Sequence, residues 1–127
     1  MLKEKQRIQE TFKISELEAR EKIEWVSKKG DHFGYDIKSI NDDGSPRYIE
    51  VKATGAACGN MNFYYTANEL EASKKYGNNY YIYIVYEIMT EHPKIWVIQN
   101  PFKGENKLEL IPVKYRVPLY VEHGKSI

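Results

Sequence analysis

The six residues NDDGSP, 41–46, constrain the shape of this chain more than any other stretch. An Asp-Gly pair running into Ser-Pro reverses the backbone, and on either side lie GYDIKSI and RYIEVKAT, two runs of strand formers. Two such runs joined by so short a turn predict an antiparallel hairpin. Successive side chains on a strand point to opposite faces, so Glu50 and Lys52 share one face and Ile49 and Val51 the other. On the first strand Asp36 and Lys38 oppose Tyr35 and Ile37 in the same way.

The loop decides whether Asp36 joins Glu50. A two-residue turn at Asp43-Gly44 pairs position 42 with 45 and hence 36 with 51, which puts the two carboxylates on opposite faces. A three-residue loop, Asp42-Asp43-Gly44 with Gly44 left-handed in a bulge, pairs 41 with 45 and 36 with 50. The second register also gathers Ile37, Ile49 and Val51 on one buried face, and it is the one expected here. Asp36, Glu50 and Lys52 then converge on one side of the hairpin. Neighbouring carboxylates repel unless a cation or proton lies between them, and hard oxygen ligands suit Mg²⁺ or Mn²⁺. A lysine beside them can hold or help deprotonate a water, or neutralise charge developing on a phosphate. This constellation implies metal-assisted hydrolysis of a phosphodiester. A solvated cross-strand salt bridge is the commoner use of such residues, and spacing alone leaves both readings open.

Around the hairpin the chain reads as one mixed α/β, or α+β, domain spanning 1–127, since 127 residues can bury one ordinary core but not two. Residues 2 to 21, with Leu2, Ile8, Phe12, Ile14 and Leu17 in an imperfect apolar stripe, predict a helical region broken near Lys13 to Ser15. IEWVS, 23–27, predicts a strand and KKGDHFG a loop; NFYY could add a short strand. Thr66 with Glu69 forms a capping box that opens the helix TANELEASKKYG, closed by a left-handed Gly77. YYIYIVYE, 80–87, is apolar on both faces and predicts an interior strand, with KIWVI as its neighbour. In the tail, LELIPV and YRVPLYV carry prolines that favour edge strands or extended packing.

Composition removes several classes of function. Lysine plus arginine exceed aspartate plus glutamate by 19 to 18, so any basic surface is local rather than global. The lone Cys58 excludes an internal disulfide and a cysteine-based zinc cluster, and it fits a reducing, cytoplasmic setting. No apolar run approaches the roughly 20 residues that span a bilayer, and MLKEKQRIQE lacks the apolar core of a signal peptide, so no membrane partner is expected.

An aspartate on one strand, Glu-X-Lys on the next and a helix after it resemble the PD-(D/E)XK, or restriction-endonuclease-like, superfamily. More specific are KIEWVSKKGDHFGYDIKSINDDGSPRYIEVKAT and FYYTANELEASKKYGNNYYIYIVYE. Over about residues 21 to 100 they resemble the domain shared with the C-terminal region of the plant protein NO VEIN. The resemblance implies an αβββαβ core with extra C-terminal strands. It also implies a metal-dependent endonuclease in which Asp36, Glu50 and Lys52 are catalytic and Asp36, Glu50 and the Val51 carbonyl bind Mg²⁺ or Mn²⁺. The implied partner is DNA, with RNA the second candidate, in restriction or defence; a homodimer and further domains of a larger defence protein are compatible with it. The different-class alternative is a catalytically inactive nucleic-acid-binding or protein-interaction module of the same fold.

Asn68 and Glu69 match a conspicuous Asn-Glu of the family's second helix, although Glu69 is already accounted for by its cap. Active members of the superfamily often add an acid from the first helix. Glu4, Glu10, Glu16, Glu18 and Glu21 are the candidates, with Glu10 preferred. The chain starts only about twenty residues before IEWVS, which reads as an abbreviated opening or as part of a longer protein. Lys28, Lys29, Lys38, Arg47, Lys74 and Lys75 are phosphate-contact candidates if they gather on the active-site face; a scattered solvated surface is the commoner outcome. Tyr35, Tyr64 and Tyr65 are open as base-stacking residues, His32 could assist, and His92 and His123 lack companions for a metal site.

Overall fold

A computed structural model of the chain describes residues 2–30, 33–55, 61–102 and 108–127. Helix α1, Leu2–Phe12, ends where Lys13 takes a left-handed φ of 53°, and α2, Glu16–Glu21, restarts behind Ser15. The Ser15 hydroxyl accepts the Glu18 amide at 3.2 Å, a cap that satisfies an otherwise orphaned donor. The break expected at Lys13 to Ser15 therefore has a specific cause. Strand β1 keeps only Glu24–Trp25 of the expected IEWVS, because Val26–Lys29 tighten into a 3₁₀ turn. The hairpin strands β2, Ile37–Ile40, and β3, Pro46–Ala53, follow, then α3, Ala67–Tyr76, β4, Tyr80–Tyr86, and β5, Lys94–Gln99.

The five strands form one sheet in the order β1-β2-β3-β4-β5. All neighbours are antiparallel except β3 and β4, which run parallel across the α3 crossover. This is the expected αβββαβ order, with β5 as an additional C-terminal strand. NFYY forms no strand, and the described tail, 108–127, contributes none either. Its prolines at 112 and 118 interrupt any ladder there.

Helices cover both faces of the sheet. On the α3 face Tyr80, Ile82 and Ile84 pack with Ala72 and Ile98, and on the other Ile37, Ile49, Tyr81 and Tyr83 form a second core. Strand β4 thus buries both its faces, as its continuous apolar run requires, at about 1.5–3 kcal/mol for each large side chain removed from water. Tyr48 stacks on Tyr76 of α3 with ring centroids 3.7 Å apart, and Tyr35 meets Tyr48 edge-on at 4.9 Å. Most of the sheet's tyrosines are therefore packing residues rather than a base-stacking surface.

On the second face, α1 contributes an acid to the interior. Glu4 is buried and accepts hydrogen bonds from Ser39 Oγ at 2.7 Å, Tyr83 Oη at 3.0 Å and the Arg7 guanidinium at 2.7 Å. Burial by itself would raise its pKa, but the bonds from Arg7 and Ser39, with the Arg7 charge and Tyr83, outweigh it and hold the carboxyl below its ordinary value. A depressed carboxyl stabilises the fold above its unfolded pKa and loses that contribution as pH falls through the folded value. Glu4→Gln should lower unfolding free energy by about 2 kcal/mol at pH 7 and flatten the acid limb of a stability profile below pH 4.5. Urea melts from pH 3 to 7 measure both effects; an unchanged acid limb would remove Glu4 from this account.

Candidate functional site

The hairpin has the register of the three-residue loop. Ile37 pairs with Ile49, Lys38 with Tyr48, Ser39 with Arg47 and Ile40 with Pro46. Asn41 donates its amide to the Ser45 carbonyl at 2.7 Å, Gly44 donates to Asn41 at 2.9 Å, and Gly44 has φ 85°. A positive φ at this position is what the loop needs glycine for.

The ladder stops at Ile37 and Ile49, and the chain leaves it at Asp36. Instead of pairing across with Glu50, the Asp36 amide donates to the Ile49 carbonyl at 2.8 Å, while its own carbonyl accepts from Val26 and Ser27 at 2.8 and 3.1 Å. Its carboxylate takes the place of the missing strand: Oδ2 accepts the Val51 amide at 2.8 Å. The N–H and C=O of one strand residue point the same way, so the Val51 carbonyl faces the side that β2 has vacated. Asp36 and that carbonyl therefore border the same gap.

The approach of Asp36 depends on Gly34. With φ +74° this residue lies against α3, and a Cβ there would stand 2.4 Å from the Asn68 carbonyl oxygen and 2.8 Å from the Ala72 Cβ. The Gly34 carbonyl accepts from the buried Tyr80 hydroxyl at 2.8 Å. The loop is thus fastened to the helix and to the central strand two residues before Asp36.

Glu50 and Lys52 face α3 together with Tyr48, and Glu50 is only 7% exposed. Its carboxyl is pushed up to about 8, first by burial, then by the Asp36 charge and the Glu69 charge, and also by a hydrogen bond with Asp36. Lys52 lowers it but does not cancel these effects, because the ammonium is engaged elsewhere. It lies 3.6 Å from Glu50 Oε1, donates to the Tyr64 carbonyl at 2.8 Å and forms a much closer ion pair with Glu69. Two carboxylates thus share one ammonium, and the nearby charge of Asp36 further favours the protonated form of Glu50.

The structure brings Asp36, Glu50, Lys52 and the edge of Val51 together, and it adds Glu69. The capping-box signal had accounted for Glu69 as a helix cap alone. In the structure the cap is made by Thr66 Oγ1, which accepts the Glu69 amide at 3.2 Å, so the Glu69 carboxylate is free to turn inward. It accepts from the Thr66 hydroxyl at 2.7 Å and holds Lys52. The Asn-Glu of the family's helix was the signal that pointed to it.

Of the first-helix acids considered, Glu10, Glu16, Glu18 and Glu21 are exposed, and the buried Glu4 is committed to Arg7, Ser39 and Tyr83 on the opposite face of the sheet. Among the described residues no group of three or more His, Cys, Asp or Glu side chains is arranged to hold a metal ion.

The six phosphate-contact candidates do not gather as one patch. Lys38 shares the face of Glu50 and lies over the Tyr48 ring at 5.9 Å. Arg47 is on the other face, bonded to Asn41 Oδ1 at 2.6 Å and Tyr83 Oη at 2.8 Å, with its guanidinium 4.2 Å from the Tyr81 ring centre. Strand alternation places Arg47 there, one residue out of phase with Tyr48. Lys28 covers Trp25 at 5.1 Å, Lys29 is paired with Glu24, Lys75 covers Tyr76 at 5.2 Å, and Lys74 is exposed on the last turn of α3. Of the three open tyrosines, Tyr35 and Tyr65 pack against other rings, whereas Tyr64 is 78% exposed beside Lys52. His32 and Cys58 lie outside the described residues, and no helix among those described is long and apolar enough to cross a membrane.

A five-stranded mixed sheet between helices makes this an α+β domain. The family model for the C-terminal region of protein NO VEIN matches residues 4–98, and the chain belongs to that family. Comparisons with curated proteins and with solved structures gave no match.

Proposed function

We propose that this domain is a PD-(D/E)XK-type nuclease that hydrolyses DNA phosphodiesters with Mg²⁺ or Mn²⁺, in a restriction or defence role. The observation that carries the reading is the repulsion at Glu50: a buried carboxyl, pressed by Asp36 and Glu69 so that it keeps its proton up to about pH 8, whose nearest ammonium is held by another acid. A divalent cation relieves that repulsion, and Mg²⁺ accepts one or two carboxylates with its remaining positions left to water and phosphate. The residues present fit such an ion. Asp36, Glu50 and the Val51 carbonyl would hold it, and it would supply Lewis acidity toward a phosphate oxygen.

The chain's own groups account for the other requirements. The Val51 amide fixes the Asp36 carboxylate in one orientation, so little reorganisation remains when charge changes at the site. Lys52 Nζ is the donor available to orient a water or to offset charge developing on the phosphate. Lys38 on the same face and the exposed Tyr64 ring are suited to a phosphate and a base of the substrate.

Titration of Mg²⁺ and Mn²⁺ against single- and double-stranded DNA and RNA tests the proposal. Cleavage should require the metal, and Asp36→Ala or Lys52→Ala should each reduce it about a hundredfold or more. Cleavage that survives both substitutions would come from a contaminant. A second reading, a non-catalytic module of the same fold, is favoured by the fact that no described acid of α1 reaches the site. DNA binding without metal-dependent cleavage would select it.

A further inference from the structure

We propose that Glu69, at the start of α3, is a positioning residue that holds Lys52 in the place where it acts. This inference rests on the nuclease reading for its consequence, though not for its geometry. Lys52 leaves β3 with a long flexible stem, and ordering such a side chain costs roughly 1.5–2 kcal/mol of rotamer entropy. Three contacts overcome that cost. The Tyr64 carbonyl accepts from Nζ at 2.8 Å, Glu69 forms the close ion pair, and Glu50 stands at 3.6 Å. Phe63 and Tyr65 add ring faces at 6.0 and 5.6 Å.

Among these contacts Glu69 is the one that belongs to the helix and has its own second anchor. Thr66 Oγ1 donates to Glu69 Oε2 at 2.7 Å, leaving Oε1 for the lysine. The carboxylate is only 12% exposed and Lys52 17%, so water weakens the pair less than it would a surface ion pair. Glu50 cannot serve as the anchor in its stead. It is farther away, and in the proposed reaction it is the ligand whose charge is taken up by metal. When that happens, Glu69 is the acid that still fixes Nζ. The site thus divides its carboxylates: Asp36 and Glu50 face the cation, and Glu69 faces the lysine.

The helix cap does not complicate the test, because Thr66 accepts from the Glu69 backbone amide, which any residue at 69 supplies. Glu69→Gln keeps the volume and removes the charge; Glu69→Ala removes both. With the wild-type protein active, Glu69→Gln should lower kcat about tenfold and Glu69→Ala about a hundredfold, with KM for DNA unchanged. A purely structural role would instead lower the melting temperature and leave that split absent. Independently of activity, the Lys52 ammonium should give a slowly exchanging ¹⁵N–¹H signal, assigned by its loss in Lys52→Arg. That signal should broaden away in Glu69→Ala. If the wild type cleaves no nucleic acid, the nuclease reading falls, and the ammonium signal alone then decides the clamp. A signal that persists in Glu69→Ala, or a Glu69→Ala enzyme with wild-type kcat, overturns the proposal.

Discussion

Gly34→Ala should destabilise the domain by about 4 kcal/mol, combining the cost of a left-handed residue with that of an overlap that neither partner can relieve. The new methyl group would be driven to 2.4 Å from the Asn68 carbonyl oxygen, a backbone atom within α3, and to 2.8 Å from the Ala72 Cβ. Neither is the tip of a flexible side chain, so either the loop or the helix must move. If the loop moves, the Tyr80 hydroxyl loses its acceptor inside the core, and Asp36 is displaced from the Val51 amide. Denaturant melts measure the first effect. The second should appear in whatever protein remains folded at low temperature, as a loss of Mn²⁺ affinity greater than that of Gly44→Ala. Gly44 also has a positive φ, but no atom lies within 4 Å of its added Cβ, so alanine there incurs only the backbone term. Equal destabilisation by the two substitutions would show that contact with α3 is not what Gly34 supplies.

Glu50 should make the metal-free protein less stable as pH rises from about 5 to 8. Its carboxyl has a folded pKa of about 8 against an ordinary 4.5, so between those values the folded state holds a proton that the unfolded state has released. Stability then falls with rising pH: the contribution is fully present below 4.5 and is lost as pH passes through about 8. At about 1.4 kcal/mol for each tenfold change in acidity, discounted for the solvent that reaches the site, the loss is on the order of 3 kcal/mol. Glu50→Gln should abolish most of this slope and leave the protein more stable at pH 8 than the wild type. Millimolar Mg²⁺ or Mn²⁺ should also flatten it in the wild type, because a bound cation favours the charged carboxylates. Melting temperatures at pH 5, 6, 7 and 8, with and without metal, provide the check. A wild-type profile that rises across this range would show that Glu50 ionises freely. A slope insensitive to metal would count against Asp36 and Glu50 as its ligands.

Both expectations arise at the end of the hairpin, where local pattern and tertiary packing determined different things. Alternation along RYIEVKA, together with a loop that needs a positive φ at Gly44, was enough to select the register from the sequence. Only one choice buries Ile37 and Ile49 together, and the ladder has that choice. The doubly apolar YYIYIVY likewise identified a central strand, and Thr66 identified the start of α3. IEWVS was harder to read. Its residues favour a strand, but the Asp36 carbonyl accepts both the Val26 and Ser27 amides and draws the chain into a 3₁₀ turn. That partner is a tertiary neighbour, invisible to local propensity.

The sequence by itself determined which residues share a strand face. From this followed the pairing of Glu50 with Lys52 and the separation of both from Ile49 and Val51, while the loop's register brought Asp36, just before β2, toward them. Only the tertiary structure decided what these groups meet. Packing of α3 over the sheet delivered Glu69 to Lys52 and excluded water from Glu50; packing of α1 over the other face spent Glu4 on Ser39, Arg7 and Tyr83. The physical reason is one of range. The two-residue period of a strand is fixed by covalent geometry and can be read locally, whereas charge balance at a buried site depends on elements that reach it from far along the chain.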